Sequence, residues 1–167
     1  VLAPISDYDA MQRALQLAKK AAELGEVPVG AVVVFQGEVI GEGWNQPISA
    51  CDPCGHAEII ALRQAAKNMA NYRLADCELF VSLEPCTMCA GAIVHARIKR
   101  LVFAATEPKA GAIISQSQLL DAGYMNYKVE YQGGTCEQES AQIISDFFKM
   151  RRTQKKAEKL ERKKLLE

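Results

Sequence analysis

No apolar run in this chain reaches the about 20 residues that a helix needs to cross a bilayer, so no membrane-spanning helix is expected. The start, Val1 to Asp7, carries neither the positive segment nor the apolar core of a secretion signal. Both absences point to a cytoplasmic chain whose thiols stay reduced. The six cysteines are then read as buried groups or metal ligands rather than as a disulfide framework. Internal repeats are missing, as is any linker within the core. With 167 residues, 49% of them apolar, the chain can bury one sizeable core and is too short for two typical domains. Histidine is scarce, at two residues, and net charge is zero.

That zero hides a division. From Lys149 to Glu167 there are nine Lys/Arg and three acidic residues, a net of +6, which leaves −6 on the other residues. A basic end on an acidic body suggests a polyanionic partner at that end; a solvated helix end would carry the same charges without one.

Along the chain, Asp7 or Asp9 is positioned to cap a first helix running to Leu24, with Met11, Leu15, Ala18 and Ala22 as its apolar stripe and Gly25 as its stop. Val29 to Phe35 and Glu38 to Trp44 form a hairpin about Gln36-Gly37. Asn45 to Gly55 reads as loop. A helix follows from His56 to Met69, then a strand from Glu78 to Leu83, a helix from Cys86 to Ala96 and a strand from Arg100 to Ala105. After a Gly-containing loop from Glu107 to Ser117 come a short helix at Leu119-Leu120, a strand from Lys128 to Gln132 and a long last helix from Cys136. Helices alternating with strands after an opening hairpin predict an α/β fold, a three-layer α/β/α sandwich around a five-stranded mixed sheet.

Two short stretches carry the chemistry. His56-Ala57-Glu58 and Pro85-Cys86-Thr87-Met88-Cys89 read H-x-E, a gap, then P-C-x-x-C. His56, Cys86 and Cys89 offer zinc three ligands and leave one position open, with the Glu58 carboxylate beside them and free. Cys86 and Cys89 stand one helical turn apart, and a helix N-terminus favours the thiolate. A rival exists in Cys51 and Cys54, a second C-x-x-C that could close a four-cysteine site with Cys86 and Cys89. Its 31-residue gap exceeds the usual ribbon spacing of about 15–20, and it leaves His56 and Glu58 without a purpose. Cys51, Cys54, Cys77 and Cys136 therefore read as loop or buried thiols. His95, on an apolar helix, reads as a buried or interface residue rather than a ligand.

Val27-Pro28-Val29-Gly30-Ala31, Gly41-Glu42-Gly43-Trp44-Asn45, His56-Ala57-Glu58 and Glu84-Pro85-Cys86-Thr87-Met88-Cys89-Ala90-Gly91-Ala92 follow one another as in the cytidine-deaminase-like superfamily. Asn71-Tyr72-Arg73-Leu74, Pro108-Lys109-Ala110-Gly111-Ala112 and Ser145-Asp146-Phe147-Phe148-Lys149-Met150-Arg151-Arg152 narrow the resemblance to the bacterial tRNA-specific adenosine deaminases. The resemblance implies a cytidine-deaminase-like fold, one zinc ion per subunit on His56, Cys86 and Cys89, and Glu58 as proton shuttle. It implies hydrolytic conversion of adenosine to inosine at the wobble position of a tRNA anticodon. Asn45 would hydrogen-bond the purine, the Ala57 N–H would help hold the attacked position, and Val29 and the His56 ring would pack on the base. Lys109, Phe147, Phe148, Arg151 and Arg152 would serve the anticodon stem-loop. Adjacent helical residues diverge by about 100°, so at least one of the two phenylalanines is expected in the core. A homodimer is implied too, and the small Ala90-Gly91-Ala92 stretch would allow close helix packing.

Residues 1–150 then form the zinc-dependent deaminase domain, and 151–167 its basic helical extension. The family often has His where Tyr127 stands and Asp where Glu107 stands, which touches substrate contacts rather than the metal chemistry. The zinc motif alone leaves open a free-base or nucleoside deaminase, or an RNA-binding module with a structural zinc.

Overall fold

A computed structural model describes residues 3–166; the expected domain limits at residues 1 and 167 lie outside the described residues. In chain order, α1 (Asp7–Glu23), β1 (Gly30–Phe35), β2 (Glu38–Trp44), α2 (Ala57–Met69), β3 (Glu78–Leu83), α3 (Thr87–His95) and β4 (Arg100–Ala105) are followed by a one-turn 3₁₀ helix (Leu119–Asp121), β5 (Glu130–Gly133) and α4 (Glu137–Lys164). The five strands lie in the order β2-β1-β3-β4-β5. β1 runs antiparallel to both β2 and β3, while β3, β4 and β5 are parallel, so the sheet is mixed as expected. Among the described residues, no helix is long and apolar enough to cross a membrane.

Strand side chains alternate between two buried faces. Val32, Val34, Phe80, Val102 and Ala104 pack with Ala10, Met11, Ala14 and Leu17 of α1. Ala31, Val33, Leu79, Val81, Leu101 and Phe103 pack with Ala57, Ala61 and Leu62 of α2 and with Ala90 and Ile93 of α3. Burial on both faces explains the near-continuous apolar runs of the central strands. α2 presses unusually close to β2. A Cβ on Gly43 would lie 2.2 Å from the Ala57 carbonyl oxygen, and one on Gly41 2.4 Å from that of Ala61. This approach fixes where the first turn of α2, with His56 and Glu58, meets the sheet.

Most element limits fall within one residue of the sequence expectation, and two differences have a clear physical cause. Ser6 caps α1, accepting the Asp9 N–H at 3.0 Å while its hydroxyl donates to the Asp9 carboxylate at 2.8 Å. Asp7 and Asp9 instead occupy the first turn, where negative charge is favourable. β5 begins at Glu130 rather than Lys128, because its ladder starts where Glu130 meets Arg100 of β4.

Strand direction sets the functional edge. β3 and β4 end where β1 begins, and β2, antiparallel to β1, ends there too. Val29, Asn45, the Glu84-Pro85-Cys86 turn and the loop after β4 therefore gather at one edge, outside the carboxyl ends of the parallel strands.

Candidate metal centre and active site

His56 and Cys86 are the N-cap residues of α2 and α3, and neither spends its side chain on capping. Cys89 lies one turn into α3. His56 Nδ1 stands 3.6 Å from Cys86 Sγ and 3.5 Å from Cys89 Sγ. Ligand distances of about 2.3 Å for Zn–S and about 2.05 Å for Zn–N, at a tetrahedral angle, separate N and S by about 3.6 Å. One imidazole and two thiols at these separations fit a zinc ion. Among the described residues this is the only group of three or more such side chains close enough to share a metal. Cys51 and Cys54 are exposed loop thiols outside it, so the four-cysteine arrangement does not form. Cys77 is buried, and burial pushes its thiol up to about 11.

The electrostatics suit a cation. A hydrogen bond from Cys89, and then His56, pull the Cys86 thiol down to about 4, despite burial. The same hydrogen bond pushes Cys89 up, so the two sulfurs share one negative charge. His56 is raised by its contact with Cys86. The Glu58 carboxyl is buried, and burial pushes it above the usual carboxylate range. A buried carboxyl shifted in this direction is suited to taking up and passing on a proton.

A cavity of about 220 Å³ joins these groups. Val29, Asn45, His56, Glu58 and Cys86 line it, and Leu83, Glu84, Glu107 and Ala110 contribute to its wall. Val29 offers an apolar surface. The Asn45 N–H donates to the Val29 carbonyl at 3.0 Å, closing the mouth of the hairpin. Asn45 is buried at 9% exposure and its side chain forms part of the cavity lining. The Ala57 N–H belongs to the first turn of α2 and has no intrahelical acceptor.

Two buried acids escaped the sequence reading. Glu26, 1% exposed, accepts the Ile48 N–H at 2.9 Å and so ties down the loop that carries Asn45. Glu84 holds the loop after β4. Burial pushes its carboxyl up, but N–H donors from Ile114, Ser115 and Glu107 and the Ser115 hydroxyl leave it below its usual value. Glu84 opens the motif that carries the metal cysteines, but the role of either acid is set by partners 22 to 31 residues away.

The expected RNA residues lie outside the cavity lining. Lys109 is exposed on the loop after β4, its N–H bonded to the Glu107 carboxylate at 2.9 Å. Phe147 is buried at 6% exposure, whereas Phe148 is 43% exposed and meets it edge to face. Of the two roles expected for this pair, packing falls to Phe147. Arg151 is half-buried and every residue from Arg152 to Leu166 is exposed. At 100° per residue, Phe148, Arg152, Lys156, Lys159 and Lys163 form one stripe along α4, with Glu158 and Glu161 on other faces. His95 is exposed rather than buried, because α3 turns it toward a groove shared with α2. The Tyr127 ring takes the Arg97 guanidinium at 5.4 Å and is not among the residues lining the cavity.

A family profile described as MafB19-like deaminase matches residues 5–152. The tRNA-specific adenosine deaminase of Haemophilus influenzae is 54% identical over 92% of this chain and 89% of its own length. A solved structure from a study of A-to-I editing by tRNA:A34 deaminases at the wobble position superposes with a TM-score of 0.79 and 41% identity, covering 80% of this chain and 97% of that one. A guanine deaminase of Nitrosomonas europaea, at TM-score 0.76 and 22% identity over 87% of this chain and 86% of that one, shares the fold. The chain belongs to the family of bacterial tRNA-specific adenosine deaminases, within the cytidine-deaminase-like superfamily.

Proposed function

We propose that this protein hydrolytically deaminates adenosine to inosine at the wobble position of a tRNA anticodon, using one zinc ion per subunit held by His56, Cys86 and Cys89. The convergence of these three side chains beside the buried Glu58 carries the reading. Zinc bound there would supply Lewis acidity, lowering the pKa of a bound water molecule to about 7. Glu58 takes the proton of the attacking water and delivers it to the purine ring nitrogen N1 as the water oxygen bonds to C6. Glu58 then moves the second water proton to the amino nitrogen, the C6–N bond breaks, and ammonia leaves. The Asn45 amide bonds the edge of the flipped base, Val29 and the His56 ring pack on its faces, and the Ala57 N–H holds the attacked position.

The substrate assignment is supported by the Phe148, Arg152, Lys156, Lys159 and Lys163 stripe and by exposed Lys109, with Arg151 beside it. A free base needs none of these, whereas an RNA hairpin offers phosphates and splayed bases to them. Residues 1–150 act as the catalytic domain and 151–167 as its RNA-facing extension, in the cytoplasm. An open apolar groove between α2 and α3, lined by Ile59, Leu62 and Ala66 of α2, Ala92 of α3 and Ala96 just after it, supports a homodimer across that face. Sedimentation at the mass of one chain would remove the dimer.

The functional test incubates the zinc-loaded protein with an anticodon stem-loop bearing adenosine at the wobble position, with free adenosine, and with guanine and cytosine. Inosine and ammonia are expected from the stem-loop alone. Equal or faster release from a free base or nucleoside would replace the RNA assignment.

A further inference from the structure

Glu84 sits between the end of β3 and the metal-ligand helix α3, and its side chain is 2% exposed. Among the described residues, no lysine, arginine or histidine pairs with it. Its charge is instead spent on one stretch of backbone. Oε1 accepts the Glu107 N–H at 3.1 Å and the Ser115 hydroxyl. Oε2 accepts the N–H groups of Ile113 at 3.1 Å, Ile114 at 2.9 Å and Ser115 at 3.0 Å. Five donors occupy a group with about four lone-pair sites.

All five belong to the loop after β4, and they come from both of its limbs. Glu107 lies on the outgoing limb, and Ile113 to Ser115 on the returning one. Between them lie Pro108, Lys109, Ala110, Gly111 and Ala112; Glu107 and Ala110 form part of the cavity wall. The fit is close. A Cβ on Gly111 would come within 2.3 to 2.5 Å of the Glu84 carboxylate atoms. The Ala112 N–H also donates to the Pro85 carbonyl at 2.9 Å. One short peptide, Glu84-Pro85-Cys86, therefore carries both the anchor of this wall and a metal ligand.

We infer that Glu84 is a positioning residue: it gathers the loop from residue 107 to 115 into the wall that receives the nucleotide, and so sets substrate fit rather than the chemical step. No donor to its carboxylate comes from His56, Cys86 or Cys89, so removing the charge releases the wall and leaves the metal ligands in place. The inference rests on the adenosine-deaminase reading above.

Glu84→Gln keeps the shape and replaces one acceptor oxygen with an NH₂ group facing backbone donors. With zinc-loaded full-length protein and the anticodon stem-loop, KM is expected to rise about tenfold or more while kcat stays within about threefold. Zinc content is expected to equal wild type. Gly111→Ala, which drives the loop off the carboxylate from the other side, is expected to give the same KM-weighted change. Ser115→Ala is expected to give a smaller one. If Glu84→Gln does not fold, these two carry the test. A fall in kcat at constant KM, a parallel loss of zinc, or unchanged kinetics in all soluble variants would overturn the inference. Amide exchange in the absence of RNA separates this inference from the substrate assignment. Faster exchange at residues 113–115 in the variants is expected whatever the substrate, and unchanged exchange would overturn the anchoring role. Absence of inosine from the wild-type protein would sink the functional reading alone.

Discussion

The cavity edge of the sheet and the outer half of α4 are built on opposite principles. At the cavity, Glu58 and Cys89 are buried, His56 and Cys86 partly so, and the residues around them are pinned by the sheet, by Gly43 and by two buried acids. On α4, the side chains from Arg152 to Lys164 lie in solvent, and among the described residues the charges of the stripe take part in no ion pair. Moving protons requires groups fixed to fractions of an ångström in a low-dielectric pocket. Holding a polyanion requires only exposed positive charge in the right place. The two regions should therefore fail differently when altered.

The largest effect is expected at the buried end. Glu58→Gln should lower kcat by about 10²–10⁴, with zinc content and stem-loop affinity retained. Retained activity would remove the proton-shuttle role, and loss of zinc would make Glu58 a ligand.

Truncation after Phe148 should do the opposite. It removes Arg152 and the lysines of the stripe, and stem-loop affinity should fall by about 10- to 50-fold at 0.15 M salt if about three phosphate contacts are lost. The metal-to-protein ratio should not change. Unaltered affinity would leave the stripe as a solvated helix face.

A smaller effect is expected from Arg100→Gln, at the far ends of β3 and β4. Arg100 pairs with Asp7 at 2.7 Å and with Glu78. The hydrogen bond from Arg100 is the main cause holding the Asp7 carboxyl below its usual 3.8. With both partners partly exposed, the loss should be about 0.5–1 kcal/mol at neutral pH. A lowered folded-state pKa gives stability that is present above the unfolded value and lost as pH falls through the folded one. The difference in unfolding midpoint should therefore close as pH falls from about 4 toward lower values. A difference that widened with acid would contradict the pairing. Kinetics at pH 7 should stay at wild type, because the cavity lies at the opposite ends of these strands.

The smallest effect belongs to Cys51→Ser with Cys54→Ser. Both thiols are exposed, and zinc stoichiometry should be unchanged. Loss of zinc would reinstate the four-cysteine site.

The same contrast explains what could be read from the sequence. His56, Glu58, Cys86 and Cys89 were legible because each pair sits in a few consecutive residues and chemistry restricts the spacing. The centre of the sheet was legible because β1, β3 and β4 are short, largely apolar runs bounded by turn residues, and Gln36-Gly37 marked β2 as the return of a hairpin. Glu84 and Glu26 were not. Each looks like a surface acid, and its meaning depends on backbone amides that only the folded chain brings near. The offset of β5 has the same origin, since an edge strand takes its limits from its neighbour. Phe147 and Phe148 were separable only in part: helical geometry required that they diverge, and the packing of α4 decided which one went inside.

Salt tests the division of labour most directly. Steady-state inosine formation from the stem-loop, measured between 50 and 200 mM salt, should show KM rising by about tenfold or more while kcat stays flat. A kcat that falls with salt at constant KM would place the exposed charges in the chemical step and contradict the separation of the two regions.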